Sequence, residues 1–124
     1  MTATQPMEHV SFEKPDEVRE GTNWRMELVH LAGGAQVGRI SLQPGWKWSN
    51  DVKPVAGTDL CMAPHQQYQV SGRVHVAMAD GAELEVGPGE VVSLPPGHDA
   101  WVVGDEPVVA IDWQGASVWA AKKE

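Results

Sequence analysis

The sequence predicts an all-β protein, a small barrel or sandwich of short antiparallel strands, on two observations. Residues 64–105 alternate apolar and polar side chains with the period of two that a half-buried strand requires. The same stretch is cut at short intervals by turn signals: Ser71-Gly72, Asp80-Gly81, Gly87-Pro88-Gly89 and Pro95-Pro96-Gly97. Short strands with a turn after each build sandwiches and barrels, and no parallel α/β sheet has this rhythm.

Each strand has its own justification. Over 73–78, Val74, Val76 and Met78 share one face, and His75 and Ala77 the other. Asp80-Gly81 supplies positive φ for a tight hairpin, and 82–86 returns with Leu84 and Val86 inward, Glu83 and Glu85 outward. An apolar run over 91–94 stops at Pro-Pro-Gly, and a strand over 101–103 follows His98 and Asp99. Upstream, 24–31 places Trp24, Met26, Leu28 and His30 on one side, and Gly33-Gly34 turns the chain into 36–42. A change of parity near Gly38 predicts a bulge there. Downstream, 108–113 is nearly continuous apolar sequence, as in a strand buried on both faces, and 116–119 predicts an edge strand. Residues 1–22 are polar and acidic and read as an arm that packs loosely or crosses to a second subunit. Residues 23–120 form one barrel domain, and 121–124 a solvated tail.

With 124 residues there is room for one core, and no internal repeat indicates two. A net charge of −8 argues against nucleic acid or an anionic membrane surface as partner. One cysteine excludes an internal disulfide and suits a reducing compartment. Residues 1–6 lack the basic and apolar pattern of a signal segment, and no apolar run is long enough to span a bilayer, so a cytoplasmic address is expected. Phosphate loops, a serine nucleophile elbow and CxxC pairs are missing from the sequence. Six tryptophans against one tyrosine and one phenylalanine suit a barrel lumen or a dimer face.

Tyr68-x-Val70-x-Gly72, a hairpin, and then Gly89-x5-Pro95-x-Gly97 resemble the second half of a cupin, a single jelly-roll barrel, over residues 36–115. Cupins carry the motifs G-x5-H-x-H-x3–4-E-x6-G and G-x5-P-x-G-x2-H-x3-N. Here the glycine and proline frame is kept and the ligand letters differ. Counting back from Gly72, the resemblance puts His65 at the glutamate position, with Asp59 and Cys61 at the two histidines. In the second motif Ala100 takes the histidine position, with His98 and Asp99 just before it. The implied metal set is therefore His65, Cys61, His98 and Asp59. Thiolate, imidazole and carboxylate suit Zn²⁺ best, with Fe, Ni or Cu as alternatives, and a metal-free barrel also fits. Each residue has a plainer reading too: Cys61 as a small core hydrophobe, Asp59 as a turn cap, His98 facing solvent.

Pro44-Gly45-Trp46-Lys47-Trp48 resembles the opening of the first motif, with tryptophans where histidines follow. Its loop either lines a pocket with Trp46 and Trp48, joined by Gln67 and Trp101, or lies on the surface held down by its indoles. The resemblance implies a protein that holds a small molecule in the barrel around a divalent metal. The alternative is a metal-dependent lyase, isomerase or dioxygenase acting on a small organic substrate. Small barrels of this kind commonly pair as homodimers.

Overall fold

The computed structural model describes residues 7–121. Among these residues, nine strands form two antiparallel sheets. In chain order the elements are β1 (Glu17–Gly21), β2 (Trp24–His30), β3 (Gln36–Leu42), two single helical turns α1 (Trp48–Asp51) and α2 (Lys53–Ala56), then β4 (His65–Ser71), β5 (Arg73–Met78), β6 (Glu83–Val86), β7 (Val91–Leu94), β8 (His98–Val103) and β9 (Val108–Asp112). The larger sheet runs β1-β2-β3-β9-β4-β7 and the smaller β6-β5-β8. Consecutive strands β4 and β5 lie in different sheets, so the chain crosses the sandwich at Ser71-Gly72, as a jelly roll requires.

Period-two alternation decides which side chains enter the space between the sheets. On β4 these are His65, Gln67 and Gln69; on β5, Val74 and Val76; on β8, His98, Ala100 and Val102; on β9, Val108, Ala110 and Asp112. Met26, Leu28, Ile40 and Leu42 close the core from β2 and β3. Trp24, Trp46, Trp48 and Trp119 are all buried in it.

Several expectations are corrected. Glu17–Gly21, read as part of an arm, is an edge strand paired to β2 from Glu17↔Leu28 to Gly21↔Trp24. Its polar composition hid it, because both faces of this strand are largely solvated. Residues 1–6 and 122–124, the ends of the predicted arm and tail, lie outside the described residues. The β2–β3 register runs unbroken through Leu28↔Gly38, and the irregularity falls instead between Gln69 and Ser71, where β4 meets β9. Gly38 serves close approach: a Cβ there would lie 2.6 Å from the Cβ of Ala116.

Residues 116–119 form a turn and not a strand, with the Gly115 carbonyl accepting from the Val118 and Trp119 amides. That turn drives Trp119 into the core, edge-on to Trp24 at 5.2 Å between ring centroids. Strand β9 is buried on one face only, and Leu84, on the same side as its partner Val76 and as Val86, is left half-exposed on the edge strand β6.

Candidate functional site

Three donor side chains converge between the sheets. The chain enters β4 through a bridge in which Cys61 pairs with His98, the Cys61 amide donating to the His98 carbonyl at 2.8 Å. Directly paired residues put their side chains on the same side, so Cys61 and His98 face inward together. His65, four residues on, opens β4 with an inward side chain. Cys61 Sγ lies 3.9 Å from His65 Nε2, and the imidazoles of His65 and His98 are 5.6 Å apart between centroids. One donor atom from each residue fits within 4.8 Å of the others, and all three residues are buried, at 3–4% exposure.

Hydrogen bonds fix both imidazoles in the same sense. His65 Nδ1 donates to Asp112 Oδ2, and His98 Nδ1 donates to the Pro95 carbonyl at 2.9 Å. With the proton held on Nδ1, each ring leaves the lone pair of Nε2 free for a ligand. Asp112 is itself held, its Oδ1 accepting from the amides of Gln114 and Gly115, each at 2.9 Å. A carboxylate behind a histidine is the outer support that metal-binding imidazoles commonly have. The sequence reading missed Asp112. Its signal was an acid at the inward parity of β9, where a buried charge needs a partner.

This donor set fits a divalent metal. Usual Zn–S and Zn–N bonds in a tetrahedron separate sulfur and nitrogen by about 3.5 Å, so small side-chain adjustments close the site. Cys61, His65 and His98 could therefore hold a metal. Asp59, expected as a fourth ligand, does not join them. Its side chain is almost fully exposed and faces Lys53 Nζ at 3.5 Å. Residues 58–60 form a bend and not a strand, so the two-residue spacing that would align Asp59 with Cys61 does not apply. His30 is exposed at the end of β2, away from the cluster.

The two histidines look into an internal cavity of about 40 Å³, lined also by Trp46, Trp48, Gln67 and Gln69 among mostly aliphatic side chains. Trp46 and Trp48 thus belong to the interior, and the loop that carries them is stitched down. The Ser49 amide donates to Asp99 Oδ1 at 3.1 Å, and the Val102 amide to the Trp46 carbonyl at 3.0 Å. Trp101 is a correction. Because His98 points inward, alternation along β8 turns Trp101 outward, where it stacks on His75 at 4.8 Å with Lys47 over its face.

Burial sets the electrostatics. It pushes the His98 pKa down, with the neighbouring His65 acting in the same direction, so the ring stays neutral near pH 7. Burial also pushes the Cys61 thiol up to about 11, and Asp112 and Asp99 add to this. Without a cation Cys61 is therefore a thiol and a poor nucleophile. The folded protein holds this proton to about pH 11, whereas the unfolded chain releases it near 9.0. The stability it contributes is complete below pH 9.0 and is lost as the pH rises to about 11. Chelator-treated protein should accordingly lose about 3 kcal/mol across that window, and Cys61→Ala should flatten the slope. Denaturation curves at stepped pH check this; equal slopes in the two proteins would contradict it.

Comparison with protein-family models and with curated proteins gives no match. Solved structures do match. An RmlC-like cupin from Shewanella frigidimarina superposes with TM-score 0.56 at 18% identity, covering 90% of this chain and 95% of that one. The polyketide cyclase RemF from Streptomyces resistomycificus gives 0.56 at 18% identity, over 87% of this chain and 80% of that one. The oxalate decarboxylase of Lactobacillus farciminis gives 0.60 at 16% identity, over 83% of this chain but 32% of the enzyme. These likenesses define the fold: the chain is a cupin-type jelly roll. None of the described helices is long and apolar enough to cross a membrane.

Proposed function

We propose that this protein binds a small organic molecule inside its barrel, beside a divalent metal held by Cys61, His65 and His98. The observation that carries the reading is the convergence of three buried donors whose two imidazoles have Nε2 free by hydrogen bonding at Nδ1. One thiolate and two neutral imidazoles favour Zn²⁺ over the hard oxygen-seeking cations. Trp46, Trp48 and Gln67 form walls of the ligand chamber. The test is a Co²⁺ titration followed by absorption. Wild-type protein should give one tetrahedral, thiolate-ligated site per chain, and His65→Ala should weaken it at least about 100-fold, beyond the loss typical of an outer partner. Spectra of hexa-aquo cobalt in both proteins would refute the reading.

A second reading, catalysis, is favoured by the ligand count. Three protein ligands leave a coordination position for water or substrate, the pattern of catalytic zinc, and His65 and His98 both border the cavity. A metal held by Cys61, His65 and His98 would supply Lewis-acid polarisation, while the chain's own walls orient the molecule and exclude water. Under this reading the protein is a lyase, isomerase or dioxygenase for a small organic substrate. The lone thiol suits a reducing compartment, and we assign the protein to the cytoplasm.

We also propose a homodimer through the outer face of β4, β7 and β9. Tyr68, Val70, Val91 and Trp113 are all 41–66% exposed there, and Tyr68 pairs with both Val91 and Ile111. By contrast, the outer face of β2 and β3 is covered by the Arg25–Glu27–Arg39 ion pairs and by Phe12 beneath Arg39. Sedimentation should show a dimer at micromolar concentration that Val91→Lys converts to monomer. Monomer alone for the wild type would refute it.

A further inference from the structure

Two polar atoms on the cavity wall have no partner among the described residues. Gln69 is completely buried, and its Nε2 donates to the Gly72 carbonyl at 3.1 Å. That bond fixes which way the amide faces and leaves Oε1 an acceptor without a donor. Trp46 is 3% exposed, and its indole Nε1–H has no acceptor. Both side chains line the same cavity as His65 and His98. Buried polar groups are ordinarily paired, because stripping them of water is costly, so an unpaired donor and acceptor in one chamber point to a guest.

The chamber also defines the guest's character. Apart from the two histidines and the two glutamines, the described residues of its walls are aliphatic and indole side chains, with no lysine or arginine among them. An anion reaching the Trp46–Gln69 side would meet no side-chain cation among the described residues. A volume of about 40 Å³ limits the guest to a few non-hydrogen atoms.

We propose that Trp46 and Gln69 form a recognition pair for a small neutral molecule carrying both a donor and an acceptor, such as a short-chain alcohol or primary amide. The guest's oxygen accepts from Trp46 Nε1–H, and its O–H or N–H donates to Gln69 Oε1. The inference rests on the reading of the barrel as a ligand chamber but not on the metal.

The test follows tryptophan indole N–H signals of the full-length protein by ¹H–¹⁵N correlation spectroscopy. Probes are propionamide and 1-propanol, against acetone, which only accepts, and propionate, which is charged. The Trp46 signal is identified by its loss in Trp46→Phe, a change that removes no side-chain hydrogen bond among the described residues. Propionamide and 1-propanol should shift that signal downfield at saturation. Acetone and propionate should bind roughly tenfold more weakly, as should propionamide to Gln69→Leu, each lacking one buried hydrogen bond. If Gln69→Leu fails to fold, Trp46→Phe, followed through the backbone amides of Val76 and Val108, provides the same comparison. Equal affinity for acetone and propionamide overturns the proposal. So does a Trp46 signal that exchanges with solvent and responds to no probe, which would assign the pair to a resident water only. Repeating the titration after chelation separates the two claims: an unchanged probe response with no metal ever bound sinks the metal site alone. Full metal loading without a probe response sinks the recognition pair alone.

Discussion

Gly115→Ala is expected to lower the thermal midpoint by roughly 10 °C, although it adds a single methyl group. A Cβ at this position would lie 1.7 Å from the carbonyl oxygen of Pro64 and 3.2 Å from His65 Nδ1. The first contact is with backbone, so no side-chain rotation relieves it. Either the turn after β9 or the entry to β4 must move. Overpacking typically costs about 1–3 kcal/mol, and a backbone clash at a fixed crossing belongs at the upper end. For a domain of this size each kcal/mol lowers the midpoint by about 4 °C. The displacement also pulls the Gly115 amide from Asp112 Oδ1, so the variant should bind metal poorly even where it remains folded. Calorimetry of the two proteins checks the first effect, and an unchanged midpoint would show that the backbone yields at this crossing without cost.

Asp112→Asn should weaken metal binding 10- to 100-fold, approximately, while leaving the fold intact. Asparagine keeps an oxygen for the amides of Gln114 and Gly115, so the turn is preserved. What changes is the atom facing His65 Nδ1, where a carboxylate oxygen becomes an N–H₂ donor. Two donors cannot face each other, so the imidazole moves its proton to Nε2 and loses the lone pair aimed at Cys61 and His98. Competition against a chromogenic chelator measures the loss. Wild-type affinity in the variant would mean that Asp112 braces the fold and does not orient His65 for a metal.

The fold could be read from the sequence because turn chemistry and alternation agree along most of the chain. Asp80-Gly81 and Pro95-Pro96-Gly97 mark real strand ends, and Val74, Val76 and Val86 lie on the buried face as their parity requires. Edges were harder. Glu17–Gly21 pairs on one side only and faces water, so it carries no apolar alternation to detect. Residues 116–119 have a strand's composition, yet the preceding Gly115 closes a turn that composition alone does not reveal.

The site was legible in part. Spacing from Gly72 brought out His65 and Cys61, and the turn before β8 brought out His98, three residues that the fold does bring together. Asp59 failed because a period of two holds only within a strand, and residues 57–60 are not one. Trp101 failed against the same rule: an inward His98 requires an outward Trp101. Applied to β4 and β9, that rule also marks Gln69 and Asp112 as inward polar residues. Their partners, Gly72 and His65, are contacts that only the folded chain defines.

Elemental analysis of untagged protein decides whether Cys61, His65 and His98, which could hold a metal, do so. Protein purified without a metal-affinity step should carry close to one equivalent of a divalent transition metal, zinc foremost. His98→Ala, prepared in parallel, should carry almost none while keeping its β-sheet spectrum. Wild-type protein that carries no metal as purified, and takes none up from a Zn²⁺ solution after dialysis, would contradict the account.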